Sequence, residues 1–278
     1  LNRRTLAKAG IAQAYYQMFG ADHDQLERVK AEMASLTAGW DRDEIVAMVE
    51  ETVGGIVPPL VFAEALAIQR TLLPDPHPHL SLLLNDYGMM LQQGGDPKAA
   101  EPPLREALAM QRRLFGKAHP QLVFTLNNLA TVVDDYDLDE ADRLTTESLQ
   151  VARSLGGPDN PLLANTLNMR AQIVHKQGDL PRARALFEAA LHAARNTYPE
   201  GHPRIGWALV GLGNVLHDTG RSDEAEPFLR EGRAVLHAVF GPDHALTRRA
   251  AEGLAAVLRA QNRHAEADTL LEGDRGER

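Results

Sequence analysis

The sequence predicts an all-α protein, an α-α superhelix of stacked helix pairs behind a short helical N-terminal segment. Three observations predict it. First, a landmark recurs: His77-Pro78, His119-Pro120 and His202-Pro203, with Asn160-Pro161 and His244-Ala245 as degenerate copies, at steps of 42, 41, 42 and 42 residues. A fixed period in this range is the signature of a solenoid. Second, small residues recur in phase with the landmark: Gly88, Ala130, Ala171, Gly213 and Ala255, then Ala100, Ala141, Ala183, Ala225 and Ala267. Third, the chain is 44% hydrophobic but only 5% aromatic, so its apolar content is dominated by residues such as Ala and Leu, which form helices well.

The elements follow in order. Residues 1–57 carry no repeat and read as helices near 3–18, 23–38 and 41–53, with Asp41 as an N-cap. Residues 58–278 form the repeat array. PPLVFAEALAIQRTLLPDPHP (58–78) aligns with EPPLREALAMQRRLFGKAHP (101–120), so 58–73 is a lone second helix, a half-repeat. Five helix pairs come after it. Each first helix runs from just after the Pro, a residue suited to launching a helix, to about sixteen residues on, as in 121–135 or 204–219. A turn such as QGGD (93–96), QGD (177–179) or TGRSD (219–223) follows, with Gly placed to end the helix in the left-handed region. Second helices are expected at 97–115, 139–155, 181–197 and 223–240, with apolar residues at the spacing of an amphipathic helix. The small residues lie where the two helices of a pair cross; a Leu there would overpack the contact by about 1–3 kcal/mol. The last pair is cut short by LLEGDRGER.

LNNLATVV…DEADRL, LGNVLHDTGRSDEAEPFLREG and EALAMQRRLFGKAHP resemble tetratricopeptide repeats. The 42-residue length and the terminal His-Pro are similar to the repeats of kinesin light chain and its bacterial relatives, over about 58–272. HEAT and armadillo repeats have similar lengths but lack this pattern of Asn and small residues. Two positions depart from the family pattern: Arg170 replaces the usual Leu in the third first helix, and Thr145 weakens the second of the second helices. The helical pattern of residues 1–65, with AGW (38–40) and the run ETVGGIVPPL (51–60), is similar to the helical cap segment of haloacid-dehalogenase-like phosphatases. That family needs an Asp-x-Asp nucleophile at the end of a strand, and Asp41-Arg42-Asp43 instead opens a helix after Gly-Trp. A phosphatase fragment lacking its catalytic core is therefore the alternative reading of the chain.

Composition excludes several chemistries. With no cysteine, disulfides, thiolate metal sites and a Cys nucleophile are ruled out. The formal charge of −9 argues against nucleic acid. No apolar run approaches a membrane span, and LNRRTLAKAG lacks the apolar core of a signal peptide; a cytoplasmic protein is expected. The chain opens on Leu, which leaves open that it is a fragment of a larger protein. His77 and His79 form an H-x-H, but the repeat places the anchor histidines in separate units rather than at one ion, so they read as caps and no metal or cofactor is expected. His175-Lys176 and His217-Asp218 invite a catalytic reading, but no Ser or Cys nucleophile is expected beside them. GGIV (54–57) and GLG (211–213) are too short for a dinucleotide fingerprint, and DDYDLDEAD (134–142) lacks the Gly and terminal Glu of a calcium loop. No enzymatic activity is expected.

The repeat resemblance implies that first helices line a concave groove. The stripe it carries over is Leu82, Asn85, Asp86 and Met89; Phe124, Asn127, Asn128, Thr131 and Asp135; Asn165, Asn168, Met169, Gln172 and Lys176; Trp207, Val210, Asn214 and His217; and Arg249, Glu252 and Arg259. The expected peptide-binding residues are Asn85, Phe124, Asn127, Asn128, Asn165, Asn168, Gln172, Trp207, Asn214 and Arg249. An Asn amide both donates and accepts, so it can hold a peptide main chain in either sense. Phe124 and Trp207 would anchor apolar side chains. Two readings of the asparagines stand side by side: they grip a ligand, or they bond to the neighbouring helix and orient it. The expected function is a scaffold or adaptor that binds a protein or peptide segment, as a regulatory portion of a larger signalling protein. Self-association through the ends of the array is a further expectation.

Overall fold

The structure, a computed structural model, describes residues 75–157 and 160–273, together with Leu66 and Arg70. The three helices expected before residue 54 lie outside the described residues, and of the half-repeat 58–73 only Leu66 and Arg70, both helical, are described. The chain divides into two compact units, residues 1–116 and 117–278. The described part of the first unit holds helices α1 (Pro78–Gln93) and α2 (Pro97–Phe115). The second unit holds α3 (Pro120–Val133), α4 (Leu138–Leu155), α5 (Pro161–Lys176), α6 (Leu180–Thr197), α7 (Pro203–Asp218), α8 (Ser222–Phe240), α9 (Ala245–Ala260) and α10 (His264–Gly273). Among the described residues no helix is long and apolar enough to cross a membrane.

The landmark residues start the first helices. Each sits in extended backbone, and its side chain accepts the backbone N–H two residues on. Nδ1 does this in His77, His119, His202 and His244, each at 3.2 Å, and Oδ1 does it in Asn160 at 3.1 Å. The anchors are therefore N-caps, which satisfy a donor that a helix start would otherwise leave unpaired. Aromatic residues four positions earlier stack on two of them: Tyr198 on His202 with ring centroids 4.1 Å apart, and Phe240 on His244 at 4.4 Å. Second helices are capped by Asp96, Asp137 and Asp179, which accept from the third residue on at 3.0, 2.9 and 3.2 Å.

The turn inside four of the five pairs uses a left-handed residue; the turn between α3 and α4, Asp134 to Asp137, does without one. Gly95, Gly178 and Gly220 supply it, and Asn262 does so in the last pair at φ 63°, as expected for the residue types that tolerate this region. The small residues lie at the crossings. A Cβ on Gly88 would sit 2.5 Å from Leu104 Cγ, and one on Gly213 would sit 2.6 Å from Leu229 Cγ.

In the first unit, Leu66, Leu80, Leu83, Leu84, Ala107 and Met110 share one buried cluster. In the second unit each helix packs on the next along the chain, α4 on α5, α6 on α7 and α8 on α9 included. First helices also touch in sequence: α3 meets α5, α5 meets α7 and α7 meets α9. They thus form a continuous layer, and a buried cluster that includes Leu167, Phe187, Leu209, Leu229 and Leu254 joins it to the second helices.

The two departures from the repeat pattern have local explanations. Arg170 reaches across to α4, where its Nε lies 3.1 Å from Asp142 Oδ1, and Arg182 of α6 lies 3.4 Å from the same carboxylate. Thr145 is fully buried, and its hydroxyl donates to the Ala141 carbonyl at 2.9 Å.

Candidate functional site

The layer of first helices presents one open face. Positions five, nine and twelve after each anchor lie within about 60° of one another on a helix of 3.6 residues per turn. On α3 these are Phe124, Asn128 and Thr131; on α5, Asn165, Met169 and Gln172; on α7, Trp207, Gly211 and Asn214; on α9, Arg249, Gly253 and Ala256. All are exposed or half-buried, and Phe124 is 49% exposed.

Position eight falls outside that arc, in the seam toward the next first helix. Asn127 and Asn168 occupy it, and each is only 3% exposed. Their expected place on the open face is therefore corrected. Asn127 Nδ2 donates to Thr166 Oγ1 at 3.1 Å, and Thr166 Oγ1 lies 3.4 Å from Ser148 Oγ. This buried chain ties α3, α4 and α5 together, so the helix-orienting reading holds for Asn127. Neither polar atom of the Asn168 amide has a partner among the described residues. The repeat explains the difference: Thr166 stands six residues after its anchor, and the same place on α7 is Ala208. Val210, the α7 residue at position eight, is buried too.

Asn85, in the first unit, is half-buried, and its Nδ2 donates to Asp86 Oδ1 at 3.3 Å. Burial raises the Asp86 carboxyl above its ordinary value, with the Asn85 hydrogen bond opposing. Asn165 accepts from Arg204 of α7, and its Nδ2 lies 3.9 Å from Met169 Sδ. Arg204 in turn lies 6.0 Å from the centre of the Tyr198 ring.

Four of the expected residues converge. Gln172 of α5, Trp207 and Asn214 of α7, and Arg249 of α9 line one cleft, together with His175, Phe187, Val210, Gly211, Leu236 and Leu246. Its floor is apolar because position nine on α7 is Gly211. A Cβ there would lie 2.1 Å from Phe187 Cε1, so the absence of a side chain lets the Phe187 ring seat directly beneath the helix. Asn214 is placed by a second glycine: a Cβ on Gly253 would lie 2.4 Å from Asn214 Oδ1. The rim carries two amides, one imidazole and the exposed Arg249 guanidinium, which makes no hydrogen bond or ion pair among the described residues. These two glycines are the part of the site that the repeat pattern did not reveal, although both stand nine residues after an anchor.

Cross-repeat pairs hold the C-terminal ends of the first helices. Lys176 Nζ lies 2.8 Å from Asp134 Oδ2 and 3.4 Å from Asp135 Oδ1. Burial raises the Asp134 carboxyl above its ordinary value, against the pull of Lys176. His175 Nε2 lies 2.6 Å from Asp218 Oδ2, so α5 grips α3 through one residue and α7 through the next. A serine does adjoin the second histidine, contrary to expectation: His217 Nδ1 lies 2.9 Å from Ser222 Oγ. Ser222 is the first residue of α8, so this contact pins the turn between α7 and α8. No group of three or more His, Asp or Glu that could hold a metal ion occurs among the described residues.

A family model described as the MalT-like TPR region matches residues 90–275. Among curated proteins, a probable phosphatase of Mycobacterium tuberculosis is 46% identical over 65 residues, and the chain spans only 23% of its length. Among solved structures, the putative kinesin light chain of Podosopora anserina, with nearly identical TPR-like repeats, is similar with a TM-score of 0.59 at 20% identity, over 73% of this chain and 95% of that one. The quorum sensor NprR of B. thuringiensis, in complex with its cognate peptide NprX, is similar with a TM-score of 0.58 at 16% identity, over 96% of this chain and 77% of that one. The matched region takes in most of the sequence, and the chain belongs to the family of the MalT-like TPR region.

Proposed function

We propose that the open face of the first helices binds an extended protein or peptide segment, and that the chain is a docking or regulatory element of a signalling protein. The observation that carries this reading is the cleft across α5, α7 and α9. It joins an apolar floor to a polar rim, which is the usual make-up of a recognition site. Gln172 and Asn214 can each donate to and accept from a main chain. Trp207 offers an aromatic wall and Arg249 a place for a carboxylate. NprR, a structural neighbour, was captured with a peptide, which supports the reading by analogy of fold.

Asn127 and Asn168 are removed from the binding set because they are buried; Phe124, Asn128 and Asn165 extend it along α3 and α5. The similarity to a probable phosphatase brings no activity into this reading, since the chain has no Asp-x-Asp after an apolar strand.

The experiment is a paired-variant binding assay. Trp207→Ala with Asn214→Ala should weaken partner binding at least tenfold while the circular dichroism and melting temperature stay near those of the parent. Asn127→Ala with Asn168→Ala should lower stability and leave the affinity of the folded protein unchanged. The opposite assignment of effects would refute the proposed face.

A further inference from the structure

We propose that the joints before α1 and α7 are proton-sensitive, because acid removes the acceptor that caps these helices and so loosens the joint. The geometry allows one state only. Nδ1 of His77 accepts the His79 N–H, and Nδ1 of His202 accepts the Arg204 N–H, both at 3.2 Å. An imidazole accepts only through an unprotonated nitrogen, and both nitrogens become donors in the cation. Protonation would therefore set two N–H groups against each other. It would also place a positive charge at the positive end of the helix dipole.

The surroundings reinforce this preference. Arg204 on α7 and Tyr198 at the end of α6 lie against His202. His79 on α1 lies beside His77, and the carboxylate of Asp75, two residues before it in the chain, is engaged 2.9 Å from Arg113 of α2. Burial first, and then the His79 imidazole beside His77 and the Arg204 guanidinium beside His202, hold both imidazoles below their ordinary value. The parallel stack of Tyr198 on His202 would favour a cation to a small extent, against burial and Arg204, which both disfavour it. The sign follows. A base whose folded value is lowered contributes stability that is complete above its unfolded value, about 6.5 for His. That contribution is lost as the pH falls through the folded value.

The chain holds its own control. Asn160 makes the same bond at 3.1 Å to Leu162 N in the joint before α5 and cannot titrate. His77→Asn with His202→Asn should therefore keep both caps and remove the proton sensitivity of these two joints, while the His119 and His244 caps, which make the same bond, stay common to parent and variant. Melting temperatures of the full chain and of this double variant should agree near pH 8. Between pH 7.5 and 5 the parent should lose more than the variant, by on the order of 2–4 °C per joint. Superimposable curves would overturn the proposal. Should the variant already be less stable at pH 8, imidazole titration by NMR in the parent decides: His77 and His202 must titrate below about 6.5, and titration at or above it would overturn the proposal equally.

Discussion

Asn127 Nδ2 donates to Thr166 Oγ1 at 3.1 Å across the seam between α3 and α5, with both side chains almost fully removed from solvent. Asn168 occupies the equivalent place on α5, faces a register in which Ala208 replaces Thr166, and has no partner for either amide atom among the described residues. A buried hydrogen bond stabilises modestly, and an orphaned buried partner costs about 1–3 kcal/mol. Asn127→Ala should therefore destabilise by about 1–3 kcal/mol in urea unfolding, and Asn168→Ala by clearly less. Ala208→Ser should restore a partner to Asn168 and raise stability by about 1 kcal/mol. Equal costs for the two Asn→Ala changes would refute this account of the seam.

Gly211→Ala sets two effects against each other. Ala is better than Gly inside a helix by about 1 kcal/mol. The new Cβ, however, would lie 2.1 Å from the buried Phe187 ring, which cannot swing into solvent. Overpacking should win, with a net loss of about 1–3 kcal/mol and a raised cleft floor. Gly253→Ala meets the end of the Asn214 amide at 2.4 Å and, less closely, Leu229 Cδ2 at 3.2 Å, which has only to give by a few tenths of an ångström. It should leave stability near the parent value while displacing Asn214, so binding alone should change. Melting and affinity measured on both variants separate the two outcomes.

Asp142 holds two guanidinium groups, Arg170 at 3.1 Å and Arg182 at 3.4 Å, with Arg170 and Asp142 both mostly buried. Asp142→Ala should be the more damaging change, because it strands Arg170 in a low-dielectric site. Arg170→Leu should cost less, since Asp142 keeps Arg182 and the Leu restores the usual repeat residue. Denaturant midpoints give the order directly; the reverse order would contradict the pairing.

The last helix is held by charge. Glu226 of α8 lies 2.8 Å from Arg263 and 2.7 Å from Arg230, and Arg230 reaches Glu266 of α10 at 2.5 Å. Burial raises the Glu226 carboxyl, but hydrogen bonds from Arg263 and Arg230 outweigh it and leave the group below its ordinary value. The contribution is thus present above the unfolded carboxyl value of about 4.3 and lost as pH falls through the folded value. Hydrogen exchange in α10 should accelerate on acidification below about pH 4, and in high salt at neutral pH, which screens exposed pairs. Unchanged protection under both conditions would show that apolar packing alone docks the helix.

Much of the architecture was legible in the sequence because its causes are local. The His-Pro landmark, the turn glycines and the small residues at crossings each answer to backbone geometry within one repeat, and the structure uses them as caps, left-handed turns and close contacts. The open face was only partly legible. Positions eight and nine after the anchor are adjacent in sequence but point about 100° apart, so Asn127 and Asn128 look alike in the sequence and separate only once the neighbouring helix is in place. Gly211 and Gly253 were obscure for a related reason: what they admit, the Phe187 ring and the Asn214 amide, comes from another helix. The Arg170–Asp142 pair likewise joins residues 28 positions apart and has no signature within one repeat.

Site-specific photo-crosslinking in the source cell tests the central claim most directly. A benzophenone side chain would replace Trp207 on the open face, Phe124 further along it, or the exposed Ala189 on α6 as a control. The account predicts the same discrete protein adduct from positions 207 and 124, reduced when Arg249→Ala is added, and no such adduct from position 189. An adduct from position 189 with none from 207 or 124 would contradict the claim that the first helices form the binding face.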